Sequence, residues 1–180
     1  MVFAVRLTVS IITVVTLAMY LVCTTTDYWH ATEYHNTLHR QSVIQGTHSG
    51  IWNGCYVRDH KELCGHIHRE GHWLRAVRAF MILGIVANFV AMLVALMGLL
   101  REDICYHIVG YTLLVNAIFI MIGLSIYAGK SGIPFKRNIE EGYFAWSFIV
   151  SWITWLLTIV ACVIAFLDDC IGERPTFQHE

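Results

Sequence analysis

The sequence predicts an all-α transmembrane protein built as a bundle of four helices. Apolar residues make up 57% of its 180 positions and charged residues only 14%, which is the balance of a membrane protein. Four stretches are long and apolar enough to cross a bilayer, since a helix rising about 1.5 Å per residue needs roughly 20 residues to span about 30 Å. In such a bundle each helix satisfies its own backbone polar groups.

The four spans belong to a single membrane domain that covers residues 1–180. They are expected at about residues 7–25, 76–100, 107–128 and 143–167. The loops are expected at about residues 26–75 and 129–142, and the tail at 168–180. A signal peptide is the alternative for the first span, because Arg6 precedes an apolar run. We prefer a span, since the run is long and no small-x-small cleavage motif follows it.

Charge and cysteines give opposite topologies. An even number of spans leaves both termini on one side and the two longer loops on the other. All Lys and Arg residues except Arg6, Arg101 and Arg174 lie on the loop side, and basic loops are usually cytoplasmic. Cys55 and Cys64, however, lie close together in the first loop, and such thiols pair in an oxidising compartment. We follow the cysteines and expect cytoplasmic termini; two free thiols in a cytosolic loop are the alternative.

A short series of residues resembles the pattern of the claudin superfamily, which reads Trp, Gly-Leu-Trp, Cys, Cys and Arg. In chain order these residues are Trp29, Gly50, Ile51, Trp52, Cys55, Cys64 and Arg78, with Ile where Leu is usual. Residues 78–83 and 144–148 are most similar to the branch that holds peripheral myelin protein, epithelial membrane proteins and the lens fibre membrane protein. The natural killer granule protein and claudin-domain-containing proteins are similar too.

The resemblance implies a left-handed four-helix bundle that carries a small extracellular antiparallel β-sheet, formed mostly by the first loop and stapled by a Cys55–Cys64 disulfide. Residues 50–57 contain enough β-branched and aromatic residues for a strand. In a regular strand Trp52 and Cys55 would face opposite sides, unless a bulge near Gly54 re-aims one of them.

The same resemblance implies structural roles for the residues that match the family pattern. We expect Arg78 to bond a first-loop carbonyl or a carboxylate, and Trp29 to be an anchor at the membrane edge. Trp52 is either an anchor at the outer ends of the helices or an exposed adhesive residue; we favour the anchor.

A run of small residues lies in the second span. Ala87, Ala91 and Ala95 recur every four residues after Gly84, and they form a smooth face that permits close approach of another helix. We expect this face to pack inside the bundle. Contact with a second protomer or a channel helix is the alternative.

Histidines are concentrated in the first loop. His66, His68 and His72 form a His-x-His-x3-His spacing. Neutral imidazoles bind zinc or copper. Because the ordinary pKa of an imidazole is about 6.5, a contact made by a histidine changes with pH in acidified compartments. We interpret these histidines mainly as solvated loop residues, with metal binding or a pH-sensitive contact as alternatives.

Motifs for catalysis are few. The sequence contains no Gly-rich phosphate loop, no His-Glu-x-x-His and no Gly-x-Ser-x-Gly. We therefore expect no enzymatic activity, no cofactor and no resident metal. A net charge of -1 gives no indication of nucleic-acid binding. Cys105 and Cys170 lie at helix ends where palmitoylation occurs, although an unmodified thiol is the commoner state.

The resemblance implies a structural, adhesive protein of the plasma membrane and cell junction. Its partners would be membrane lipids and either further copies of itself or another membrane protein. An auxiliary subunit of an ion channel or receptor is the alternative, with a binding face on the third or fourth helix that includes Trp146, Trp152 and Trp155. A paracellular or transmembrane pore is less favoured. The ending Phe177-Gln178-His179-Glu180 is unlike the Tyr-Val of typical claudins, which argues against attachment to a PDZ domain.

Overall fold

The computed structural model describes residues 2–36, 43–58, 61–67, 71–100, 106–131 and 140–172. Within these residues the chain forms helices and short strands. The helices are α1 (Val2–Thr25), α2 (His72–Leu100), α3 (His107–Lys130) and α4 (Trp146–Gly172). The strands are β1 (His30–Asn36), β2 (Val43–Ser49), β3 (Asn53–Arg58), β4 (Lys61–His66) and β5 (Glu140–Phe144).

Each of the four helices contains a span that is long and apolar enough to cross a membrane. The spans have 23 to 29 residues and a mean hydropathy between 2.1 and 2.5. About 20 apolar residues suffice to cross a bilayer, so the chain is a multi-pass membrane protein. The helix α4 begins at Trp146 rather than near residue 143, because Tyr143 and Phe144 pair with β1 as part of β5.

The strands form one antiparallel sheet in the order β4-β3-β2-β1-β5. Four of them come from the loop between α1 and α2, and β5 directly precedes α4. The predicted fold class, a bundle of apolar helices with a small antiparallel sheet, is confirmed. We call the end of the bundle beside the sheet the sheet end, and the opposite end the distal end.

Residues Gly50 to Trp52 form a turn. The strand β2 ends at Ser49 and β3 begins at Asn53, so the expectation of a strand across residues 50–57 was wrong for its first part. Since Trp52 precedes β3, the alternation of a strand does not determine which way it faces.

The register is continuous at Gly54, where a bulge was the alternative. Gly54 pairs with Ser49 at the end of the β2–β3 ladder. It also pairs with Gly65 in β4, between the regular pairs of Asn53 with His66 and of Cys55 with Cys64. The regular register places Cys55 directly opposite Cys64.

Buried side chains fill the bundle in two groups. The group at the sheet end consists of Tyr20, Trp29, Ile51, Leu74, Val77, Met81, Ile120, Leu124, Tyr127 and Phe148. The group at the distal end consists of Val9, Ala91, Ala95, Tyr106, Val109, Leu113, Ala161, Cys162 and Ala165. Apolar side chains on the outward faces, such as Val86 and Leu156, are half exposed and form the surface that lipid covers.

Polar side chains cross-link the helices between these groups. The amide of Asn88 donates to the hydroxyl of Thr16 at 3.1 Å, and the hydroxyls of Tyr20 and Thr158 lie 3.1 Å apart. All four side chains are fully buried. Such interhelical hydrogen bonds contribute roughly 0.6 to 2 kcal/mol each in membrane proteins.

An ion pair joins the helices at the distal end. Nε of Arg6 donates to Asp168 at 3.1 Å, which connects α1 to α4. Nη1 of Arg6 also donates to the carbonyl of Gly98 in α2 at 3.3 Å, and the hydroxyl of Tyr106, just before α3, donates to the carbonyl of Arg6 at 3.1 Å. Arg6 therefore links α1 to α2, to α4 and to the residue that precedes α3.

The small-residue face of α2 lies inside the bundle. Gly84, Ala91 and Ala95 are buried, and Ala87 is half-buried. A Cβ atom at Gly84 would overlap the side chain of Ile120 in α3. The buried side chain of Ile120 therefore occupies the space that the absent side chain of Gly84 leaves, as small residues allow in membrane helix pairs.

The substitution Gly84→Ala is expected to destabilise the protein by about 1 to 3 kcal/mol, because the added methyl overpacks a filled site. Gly129→Ala is the matched control: Gly129 also lies in a helix, but a Cβ there meets nothing within 4 Å. The control is expected to be neutral or to stabilise by up to about 1 kcal/mol through helix propensity. Unfolding of both variants in detergent micelles measures the difference, and equal effects would contradict the prediction.

Candidate functional site

A disulfide joins Cys55 in β3 to Cys64 in β4. The two residues are direct partners in the register, with their Cα atoms 4.1 Å apart. Cys55 is buried and Cys64 is exposed. The predicted bridge is therefore present, and it closes a hairpin whose strands are already paired.

The indole of Trp29 caps the end of α1. Its Nε1 donates to the carbonyl of Cys23 at 2.6 Å, and the ring is fully buried against Tyr127 and Phe148. The last four carbonyls of a helix have no partner within that helix. The Trp29 side chain therefore satisfies one of these carbonyls while it fills the core at the sheet end.

The backbone of Trp29 joins the sheet to α4. Its N–H donates to the carbonyl of Ser49 in β2 at 3.0 Å, and its carbonyl accepts from the N–H of Ala145 at 3.0 Å. Ala145 directly precedes α4. One residue thus connects α1, β2 and the start of α4.

The indole of Trp52 caps a second carbonyl of α1. Its Nε1 donates to the carbonyl of Thr24 at 2.8 Å, and the side chain is half-buried. The N–H of Thr26 takes a third carbonyl, that of Val22, at 3.1 Å. Trp52 is therefore lodged against the end of the helix, which agrees with the anchor interpretation.

Gly50 allows the turn to lie against the end of α1. A Cβ at this position would stand 2.5 Å from the carbonyl oxygen of Thr26 and 2.8 Å from Cα of Asp27. These contacts are with backbone, which cannot move aside as a flexible side chain can. Glycine is required here because any side chain would push the turn, and Trp52 with it, away from the helix.

Arg78 in α2 holds the same turn from the other side. Its Nε donates to the carbonyl of Ile51 at 2.7 Å, and its guanidinium lies 4.8 Å from the centre of the Trp52 ring. A cation over an indole contributes roughly 0.5 to 2 kcal/mol. Of the two partners expected for Arg78, the structure shows the first-loop carbonyl.

The structure brings together one part of the predicted site and separates the rest. Trp29, the Gly50 turn and Arg78 meet at the end of α1. His66 at the end of β4 and His72 at the start of α2 are exposed, whereas His68 lies outside the described residues.

The tryptophans that the auxiliary-subunit alternative assigns to a binding face do not all point outward on α4. Trp146 is 47% exposed, but Trp152 and Trp155 pack against the core at the sheet end. Nε1 of Trp155 donates to the carbonyl of Ala117 in α3 at 3.0 Å. Two of the three side chains therefore join α4 to its own bundle.

Sequence reasoning missed a polar cluster beside the disulfide. Nε2 of His48 lies 3.0 Å from Oε1 of Glu62, and the imidazole stacks on Tyr28 with ring centres 4.3 Å apart. Only the strand register reveals this contact, because it places His48 opposite Cys55. The concentration of histidines in the first loop was the one signal available.

Comparison with protein families identifies the chain at family level. The model of the PMP-22/EMP/MP20/Claudin family matches residues 3–165. The chain belongs to this family. The match includes every strand and reaches into all four helices, so the predicted resemblance is confirmed.

The chain is similar to three relatives over 64% to 83% of its length. Epithelial membrane protein 1 of Oryctolagus cuniculus is 26% identical over 117 residues, which cover 64% of this chain and 72% of the relative. Lens fiber membrane intrinsic protein of Rattus norvegicus is 23% identical over 152 residues, 78% of this chain and 77% of the relative. Epithelial membrane protein 1 of Mus musculus is 25% identical over 155 residues, which cover 83% of this chain and 88% of the relative.

The substitution Trp29→Phe is expected to destabilise the protein by about 1 to 3 kcal/mol, because it removes the indole N–H and leaves space in the core where the larger ring packed. The carbonyl of Cys23 then keeps only the bond from the hydroxyl of Thr26 at 3.1 Å. Trp146→Phe is the matched control, since Trp146 is 47% exposed at the start of α4. Thermal unfolding in detergent measures the stability of both variants. A loss of stability in Trp146→Phe as large as that in Trp29→Phe would show that the buried position of Trp29 does not cause the destabilisation.

Burial lowers the pKa of His30 below its ordinary value of 6.5, because it disfavours the charged imidazole. The unfolded chain therefore binds this proton more tightly than the folded protein does. The resulting loss of stability is absent above about pH 7.5 and grows as the pH falls through about 6.5.

We expect His30→Gln to reduce the fall in melting temperature between about pH 7.5 and about pH 5.5. His66→Gln is the control, since His66 is exposed. If His30→Gln shows the same pH dependence as the unsubstituted protein, His30 does not contribute to acid sensitivity.

Proposed function

We propose that this protein is a structural, non-catalytic membrane protein that organises contacts between cells or membrane domains through the β3–β4 hairpin and through self-association. The proposal places it in the plasma membrane, with both termini in the cytoplasm and the sheet outside the cell. The disulfide supports this orientation, because paired thiols persist in oxidising compartments. The distribution of basic residues opposes it.

The observation that carries the proposal is an exposed apolar pair on this hairpin. Tyr56 and Leu63 are each 67% exposed and lie directly opposite each other across β3 and β4. Each is the chain neighbour of a disulfide cysteine, and side chains alternate across a strand. The pair therefore projects from the face of the hairpin opposite to the disulfide.

The hairpin also lies at an open edge of the sheet. β4 is the terminal strand in the sheet order, and all six of its residues are exposed. An edge strand presents unpaired backbone groups that can bond a partner chain. The disulfide makes the hairpin with its apolar pair a rigid surface. A partner therefore binds it with little loss of conformational entropy in the hairpin.

The residues that cap the end of α1 have a structural role, which differs from the contact role proposed for the hairpin. Trp29, Trp52 and Arg78 are engaged with α1, the turn and the core. They hold the sheet on the bundle and leave the Tyr56–Leu63 pair as the outward apolar feature of the hairpin. The proposed contact surface is therefore separate from the family motif.

We expect the double variant Tyr56→Ser/Leu63→Ser to lose adhesion. Suspended cells that express it should aggregate no more than cells that lack the protein, because the apolar contact area is removed. Tyr56→Phe/Leu63→Met is the matched control and should keep most of the aggregation. Unchanged aggregation by the serine variant, at equal surface amount and with the disulfide intact, would refute the role of the hairpin.

Chemical cross-linking on the same cells separates the two parts of the proposal. Oligomers formed within one membrane should persist in the serine variant if lateral self-association uses a different surface. Copurification of the unsubstituted protein only with a channel or receptor, in a fixed ratio, would instead favour the auxiliary-subunit alternative.

A further inference from the structure

The two disulfide cysteines and two neighbouring side chains form a cluster with the composition of a metal site. The ligand atoms of His48, Cys55, Glu62 and Cys64 all lie within 4.8 Å of one another. We call these four residues the cross-strand cluster. They offer one imidazole nitrogen, two sulfurs and one carboxylate oxygen, which are ligands that zinc accepts in proteins.

The sheet register brings the cluster together. His48 in β2 is the partner of Cys55 in β3, and Cys55 is the partner of Cys64 in β4. Glu62 is two residues before Cys64 and so points to the same face of β4. Three adjacent strands thus present His48, Cys55 and Cys64 as one row, with Glu62 beside it on the same face.

The imidazole of His48 is already oriented as a ligand. Its ring stacks on Tyr28 with an interplanar angle of 4°, and its Nε2 lies 3.0 Å from the carboxylate of Glu62. His48 and Cys55 are buried, whereas Glu62 and Cys64 are exposed. One side of the cluster is therefore fixed, and the other is open to an incoming ion.

We propose that reduction of the Cys55–Cys64 disulfide converts the cross-strand cluster into a zinc site. The zinc ion would be held by the two thiolates, Nε2 of His48 and the carboxylate of Glu62. Tetrahedral zinc with bonds of about 2.0 to 2.3 Å separates its ligand atoms by roughly 3.3 to 3.8 Å. Breaking the disulfide lets the sulfurs move apart to this distance, and rotation of the exposed side chains brings the remaining atoms inward.

The reaction balances with a dithiol reductant. The dithiol gives two electrons and two protons to the Cys55–Cys64 bond and becomes a disulfide itself, leaving two thiols in the hairpin. Zinc then displaces the two thiol protons to solvent. The bound ion, two thiolates and one carboxylate carry a net charge of about −1 with a neutral imidazole.

Zinc and the disulfide would be alternative staples of the same strands. The disulfide connects β3 to β4, whereas zinc would also include β2 through His48. Because bound thiolates are not available for exchange, the metal would protect the pair from oxidation until it is removed. The site is separate from His66 and His72, and it does not depend on the proposed adhesive role.

The experiment uses the full chain in detergent with Cys105→Ser and Cys170→Ser, which removes two thiols outside the cluster. The other two, Cys23 and Cys162, are buried in the helix bundle. A phosphine reduces the disulfide, and Co²⁺ replaces zinc as a spectroscopic probe. We expect one Co²⁺ per reduced chain, with tetrahedral d–d bands and a thiolate charge-transfer band, and displacement by Zn²⁺. The oxidised protein should give no such bands.

Variants test the two ligands that are not cysteines. His48→Ala and Glu62→Gln keep the disulfide, so their folding is checked in the oxidised form, and each should weaken Co²⁺ binding at least about 10-fold. The control His66→Ala should bind as the unsubstituted chain does. Zinc should also raise the melting temperature of the reduced protein. Absence of bands after reduction, or unchanged affinity in His48→Ala, would overturn the proposal.

Discussion

The fold depends on how the last turn of α1 is closed. A helix end leaves carbonyls without partners, and at a membrane boundary these must be satisfied by the protein itself or by interfacial water. Here the carbonyls of Cys23 and Thr24 accept from the indoles of Trp29 and Trp52, and that of Val22 accepts from a backbone N–H. Because Trp29 begins the path into the sheet and Trp52 lies between two strands, the same hydrogen bonds that end the helix also fix the sheet on top of it.

This arrangement explains why the motif residues act together although they are far apart in the chain. Gly50 lets the turn touch the helix end, the turn places the Trp52 indole, and Arg78 from α2 bonds the turn and covers that indole. Each contact requires the others, so the loss of one residue weakens the position of its neighbours. The outer face of the hairpin, with Tyr56 and Leu63, takes no part in these contacts, so a substitution there leaves the attachment of the sheet in place.

The sequence is sufficient to predict the helices, the disulfide and the motif, because each has a local signal: apolar length, cysteine spacing, and a fixed order of Trp, Gly and Arg. It does not predict contacts that depend on register. The Gly50 turn was expected to be part of a strand because Ile51 and Trp52 have high strand propensity, but close packing against α1 decides its conformation. The auxiliary-subunit alternative placed Trp152 and Trp155 on a binding face, whereas helix packing turns both toward the core.

The two faces of the β3–β4 hairpin consequently have different chemistry. Strand alternation places Cys55, Cys64 and Glu62 on one face, where they meet His48, and it places Tyr56 and Leu63 on the other. The first face is polar and partly buried, and its cysteines join the strands by a disulfide; the second face is apolar and exposed. A change on the first face alters how firmly the strands are joined without removing the apolar pair. The strength of a contact made by the second face then depends on the first, because a hairpin that is not stapled must be ordered at the moment of binding.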